Sequence, residues 1–114
     1  MSKQLMCTGP DEVGWVEYQL SPEVDPGKLR VRAVNGAEKH GTMKSFVHGH
    51  GNRRGAYDKK KGMHLAEGVV MGYPITLGNM QVGVVERVGA ELNGFSAGDR
   101  VVYYGGFATG ADVN

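Results

Sequence analysis

At 114 residues the chain can bury one core but is too short for that core plus a doubly wound nucleotide domain, so a single domain spanning 1–114 is expected. The 13 Lys+Arg against 12 Asp+Glu leave a net charge of +1, which gives no field to draw the protein to nucleic acid or to an anionic membrane. A lone cysteine, Cys7, excludes an intramolecular disulfide, and no apolar run approaches the ~18 residues of a membrane helix, so a soluble, cytoplasmic protein is expected.

Nineteen glycines, more than double the average of about 7%, predict a chain that turns often and favours short strands over long helices. The first strands are expected over 3–8 and 13–19, separated by the turn Gly9-Pro10-Asp11. In the second, Trp15, Glu17 and Gln19 alternate with Val16, Tyr18 and Leu20, the two-residue period of a half-buried strand. A loop over 21–27, carrying Pro22, Pro26 and Gly27, leads to a strand over 28–34. There Leu29, Val31 and Ala33 alternate with Lys28, Arg30 and Arg32, which predicts one wet face.

From 36 to 68 apolar residues thin out, and the segment reads as a long polar loop, with a short helix near 44–48 as its one weak element. Order is expected again from Val69, with further strands over 82–88 and 100–104 joined by turns at Gly94 and Gly98. Six or so short strands with glycine turns and little helix describe a mainly β chain, a small barrel or sandwich.

Two linked motifs, Val82-Gly-Val-Val-Glu-Arg-Val-Gly89 and Phe95-Ser-Ala-Gly-Asp-Arg-Val101, carry a family resemblance. Gly83 permits close approach of a neighbouring backbone, Gly98 takes a tight turn, and Asp99 can accept from loop amides. Lys28-Leu-Arg-Val-Arg-Ala-Val-Asn-Gly36 and Tyr73-Pro-Ile-Thr-Leu-Gly78 add to the pattern. Together they resemble the N-terminal, GroES-like β-barrel domain of the medium-chain dehydrogenase/reductases, the alcohol dehydrogenase-like proteins. The resemblance covers about 28–110 and leaves 49–68 outside it.

The resemblance implies the substrate-side domain of a nicotinamide-dependent oxidoreductase, with NAD(P) bound in a full-length relative. The chain has no Gly-x-Gly-x-x-Gly after a strand and no βαβ pattern, so it is expected to lack the nucleotide-binding domain and to be inactive alone. Where zinc-dependent members carry Cys-Gly-Thr-Asp this chain has His40-Gly-Thr-Met43, and where they carry Gly-His-Glu it has Gly78-Asn-Met80. An amide and a thioether are poor replacements for imidazole and carboxylate, so zinc is not expected.

Val34-Asn35 resembles the strand end of the zinc-free, quinone-oxidoreductase-like branch, which reduces activated double bonds. In that reading His40, Thr42 and Asn79 are catalytic, Thr42 as proton donor or relay. Asn35, Tyr73 and Met80 bind a small-molecule substrate, Asn35 and Asn79 both orienting its carbonyl. Loop capping is an equal account of Thr42 and Asn79, and a strand-ending turn is the stronger account of Asn35.

His48-Gly-His50 sets two imidazoles close together, without the accompanying ligands of a recognised metal motif; exposed loop histidines are the plainer reading. Arg53, Arg54, Lys59, Lys60 and Lys61 read as a solvated flap. The alternative from another class is a stand-alone β-barrel binding module. An incomplete barrel exposes strand edges and an apolar face, so a homo-oligomer is expected.

Overall fold

A computed structural model describes residues 1–49, 53–70 and 72–114, with side chains omitted over 53–57 and 64–70. Its elements run β1 (Ser2–Gly9), β2 (Glu12–Tyr18), β3 (Leu29–Ala37), α1 (His40–Val47), β4 (Arg53–Asp58), β5 (Met63–Val70), β6 (Ile75–Thr76), β7 (Met80–Val88), β8 (Arg100–Tyr104) and β9 (Gly110–Val113). They form antiparallel sheets in the orders β2-β1-β6, β8-β7-β3-β9 and β4-β5. This is the mainly β, GroES-like architecture that the motifs lead one to expect.

The polar stretch after Gly36 is more structured than its composition suggests. It holds the eight-residue helix α1 and, beyond the undescribed residues 50–52, the hairpin β4-β5. The hairpin turns through Lys59, Lys60 and Lys61, all exposed, with Asp58 Oδ1 accepting from the amides of Lys60 and Lys61. Charges and glycines interrupt both of these strands, so their local pairing across a four-residue turn leaves no clear alternation. Strands β6 and β9, of four residues or fewer, are too short to carry a period.

The core gathers Leu29, Val31, Val85 and Tyr103, with Val88, Leu92, Val101, Ala111 and Val113 packed around it. The one-wet-face reading of β3 fails at Arg30, which is only 9% exposed. Arg30 lies opposite Asp112 in the β3-β9 register and holds it with two bonds, Nε to Oδ1 at 2.8 Å and Nη2 to Oδ2 at 2.9 Å. That fork raises the guanidinium pKa further, against the opposing pull of burial. The strand β2 alternates less than expected, for Trp15 and Val16 are both exposed at this sheet edge while Tyr18 and Leu20 are half-buried.

The segment 107–109 ties the two larger sheets together. Phe107 O accepts from Leu5 N at 2.7 Å, Thr109 N donates to Lys3 O at 2.9 Å, and Thr109 O accepts from Ala33 N at 3.0 Å. Gln81, buried on β7, clamps the same segment: its Nε2 donates to Ala108 O at 3.1 Å, and its Oε1 accepts from Ala108 N and the Tyr103 hydroxyl. Burial, with the nearby Tyr18, raises the pKa of Tyr103. The edges β8 and β9 line a common opening through Val102, Tyr104, Asp112 and Val113, so the curled sheet stops short of closing.

Candidate functional site

Strand β3 ends in a bulge. Ala33 pairs with Gly83 and Asn35 with Val82, leaving Val34 as the extra residue, and such bulges re-aim the side chains that follow. Asn35 Oδ1 accepts from Gly36 N at 2.9 Å, as a turn residue does, and Asn35 also lines an open groove with Trp15, Val34, Gln81 and Phe107.

The chain then enters α1, which buries no residue completely. Thr42, Met43 and Phe46 share one face of α1, and Lys39 is the N-cap residue just before it. That face, with Lys39, forms one wall of a small cleft. The other wall is Thr76, Leu77, Gly78 and Asn79.

The second wall is pinned from both sides. Leu77, 2% exposed, donates to Leu5 O at 3.2 Å and accepts from Phe107 N at 2.7 Å, while Asn79 O accepts from Gly105 N at 3.0 Å. Gly78 sits at φ +88°, and a Cβ there would stand 2.5 Å from the Phe107 ring. The same ring lies 2.5 Å from the position of a Gly36 Cβ, so two glycines receive Phe107 between the cleft and the groove.

Of the residues singled out in the sequence, Thr42 and Asn79 both line the cleft. Asn35 belongs to the neighbouring groove. His40 opens α1, exposed and outside the cleft lining. Tyr73 stands by the other end of the helix, its hydroxyl donating to Phe46 O at 3.2 Å. Met80, half-buried at the start of β7 opposite Tyr104, lines neither the cleft nor the groove.

His48 contacts Asp11 Oδ1 through Nδ1, and Asp11 N donates to Val47 O at 2.7 Å, so the β1-β2 turn holds the end of α1. His50 lies outside the described residues, as do the side chains of His64, Arg53, Arg54 and Tyr57. Among the described residues no three His, Cys, Asp or Glu side chains gather as a metal site would need, and no helix is long and apolar enough to cross a membrane. Sequence reasoning missed Lys39, Met43 and Phe46, although their helical spacing was there to be read, and Gln81, whose amide gave no signal of burial.

The family motifs sit as their chemistry requires. A Cβ on Gly83 would meet Val31 Cγ1 at 2.3 Å, Gly98 has φ +95°, and Asp99 Oδ2 accepts from Ser96 N at 2.8 Å.

Comparison with curated proteins returns no match. Among solved structures, the mitochondrial 2-enoyl thioester reductase Etr1p/Etr2p heterodimer from Candida tropicalis is similar at TM-score 0.65 and 16% identity, over 99% of this chain and 31% of that one. A complex of Etr1p with NADP and crotonyl-CoA is similar at TM-score 0.65, with 17% identity and the same coverage. The CurF ER cyclopropanase of curacin A biosynthesis is similar at TM-score 0.65 and 20% identity, over 97% of this chain and 32% of that one. The chain thus spans about a third of the length of these structures, and the likeness is one of fold.

The family model for the alcohol dehydrogenase GroES-like domain matches residues 56–112, half of the chain. The match takes in β5 and part of β4, which the sequence motifs left outside, and begins after His40 and Thr42. With the Gly83, Gly98 and Asp99 motifs lying inside the match, the chain belongs to the alcohol dehydrogenase GroES-like domain family, the β-rich domain of the medium-chain dehydrogenase/reductases.

Proposed function

We propose that the chain is the substrate-side domain of a zinc-free, nicotinamide-dependent reductase of activated double bonds, active only when joined to a nucleotide-binding domain. The observation that carries this reading is that Thr42 and Asn79 both line one cleft, together with the buried Leu77. The neighbours whose names state an activity on enoyl thioesters, and the one solved with NADP and crotonyl-CoA, support the choice of an α,β-unsaturated carbonyl. A reducing, cytoplasmic setting belongs to the same proposal, supported by the single buried thiol of Cys7.

Zinc does not fit the residues present. Asn79 offers only an amide to the cleft, and neither His40 nor Met80 lines it, so among the described residues three nitrogen, sulfur or carboxylate donors do not converge there. The described elements include no parallel βαβ unit of the kind that cradles a dinucleotide, so in this proposal a joined nucleotide domain would hold it.

A nicotinamide held by the nucleotide domain would supply the hydride for the β carbon of the acceptor. The Asn79 amide donates to the acceptor carbonyl, whose oxygen gains negative charge as the double bond's electrons move toward it. Thr42, or a water it holds, then gives a proton to the α carbon, so one hydride and one proton saturate the bond. The proton is restored from solvent, to which Thr42 and His40 are both exposed.

The test is NADPH oxidation with an enoyl thioester by the protein in which this chain continues into its nucleotide domain. Thr42→Val is expected to lower kcat by about 100-fold, the lower end of general acid catalysis, with little change in thermal stability. A reading frame that stops directly after Asn114, or a Thr42→Val variant with undiminished kcat, would overturn the proposal.

A second reading, a self-associating barrel module, is favoured by the outer face of β7 and β8. Val82, Val102 and Tyr104 are 38%, 67% and 84% exposed there, and β8 is an edge strand. The Etr1p/Etr2p neighbour is a heterodimer, which makes association a property of at least one relative of the fold.

A further inference from the structure

Among the described residues, the cleft between α1 and 76–79 has one charged side chain in its lining, Lys39. Its neighbours in that lining are the uncharged polar groups of Thr42, Thr76 and Asn79 and the apolar Met43, Phe46 and Leu77. The carboxylate nearest in sequence, Glu38, is exposed and does not line the cleft. Among the described residues Lys39 enters no ion pair, whereas Lys3, Lys28, Arg30 and Arg32 each do. An exposed cation at the edge of a partly apolar cleft, with no carboxylate paired to it among the described residues, draws a ligand of opposite charge.

We infer that Lys39 is a specificity residue that selects acceptors carrying an anionic group, a carboxylate or a phosphate, beside the activated double bond. This deepens the reductase reading and rests on it. Lys39, the N-cap residue of α1, and Thr42, three residues on, line the same cleft, so a ligand held by its anion at Lys39 presents its neighbouring atoms to Thr42 and to Asn79. Lys39 takes no part in bond making. It sets which acceptors stay long enough to react.

The experiment is an amide-resolved NMR titration of the 114-residue chain with paired ligands that differ in charge. Acetylacrylate is compared with its neutral methyl ester, and (3-oxobut-1-enyl)phosphonate, whose phosphonate stands for a phosphate, with its neutral dimethyl ester. At least one anionic member is expected to bind about tenfold more tightly than its neutral twin, shifting the amides of Thr42 and Asn79, and the preference should shrink as salt rises. Which pair shows it distinguishes a carboxylate from a phosphate.

In Lys39→Gln the preference should vanish while the neutral twin binds as before. Neutral twins that bind the wild type as tightly as the anions, or a preference that survives in Lys39→Gln, would overturn the inference and leave the cleft reading standing. No shift at Thr42 or Asn79 with any of the four ligands would overturn both.

Discussion

At Gly83 the distance between two strands depends on one absent carbon. A Cβ there would lie 2.3 Å from Val31 Cγ1 and 2.7 Å from Arg32 O. The first contact is a side-chain tip that a rotamer change can relieve. The second is the backbone of β3, fixed by pairing to β7 and, through Arg32, to β9. Gly83→Ala is therefore expected to lower the unfolding free energy by about 1–3 kcal/mol, the ordinary cost of overpacking, read as a lower urea midpoint at unchanged slope. An unchanged midpoint would mean that β3 and β7 separate without cost. This residue was legible in the sequence because a glycine inside a β-branched run marks a bulge or a close backbone approach. Arg30 was not. Its alternation placed it in water, and only the distant Asp112, which no local pattern couples to it, accounts for its burial.

Among the elements, β9 shows how much of the fold rests on a few polar contacts. It is four residues long and pairs with β3 at the sheet edge. Beyond its backbone bonds, the Arg30–Asp112 fork, with side chains 11% and 17% exposed, fixes its register. Asp112→Ala would leave a nearly buried guanidinium with one weak contact, to Glu23 O at 3.5 Å. The expected loss is about 3 kcal/mol, accompanied by faster hydrogen exchange at the amides of 110–113. Replacing both partners, Arg30→Met with Asp112→Leu, is expected to recover most of that stability, because the penalty comes from an uncompensated charge rather than from a missing attraction. A double variant as unstable as Asp112→Ala would show that the fork itself is required. Helix α1 illustrates the opposite limit of legibility. Its residues announce a shared face, yet the helix draws its position from Asp11 and Tyr73, 37 residues before His48 and 27 after Phe46, which periodicity within the helix cannot reveal.

For the whole molecule the deciding feature is that the four-stranded sheet curls without closing. Its edges β8 and β9 both line one opening, and β8 adds exposed Val102 and Tyr104 beside Val82 on β7. Strand edges with apolar neighbours pair with other chains unless something blocks them, and β8 carries a single charge, Arg100, at its start. The isolated chain is accordingly expected to form dimers or larger assemblies at micromolar concentration, measured by light scattering behind a sizing column. Tyr104→Lys places a second charge at the opposite end of β8, on a side chain 84% exposed, and should shift the population to monomer without lowering the thermal midpoint. The barrel's core lies on the other face, at Tyr103 and Val101, so the substitution leaves folding contacts alone. If the unaltered chain is monomeric throughout, the module reading is lost. If it assembles and Tyr104→Lys does not weaken the assembly, a different surface is responsible, and the exposed β2 edge with Val13, Trp15 and Val16 is the next to vary. The two functional readings separate on the same molecule: joining this chain to a nucleotide domain that covers the β7-β8 face should suppress self-association through it, whereas a module that works by assembly should retain it.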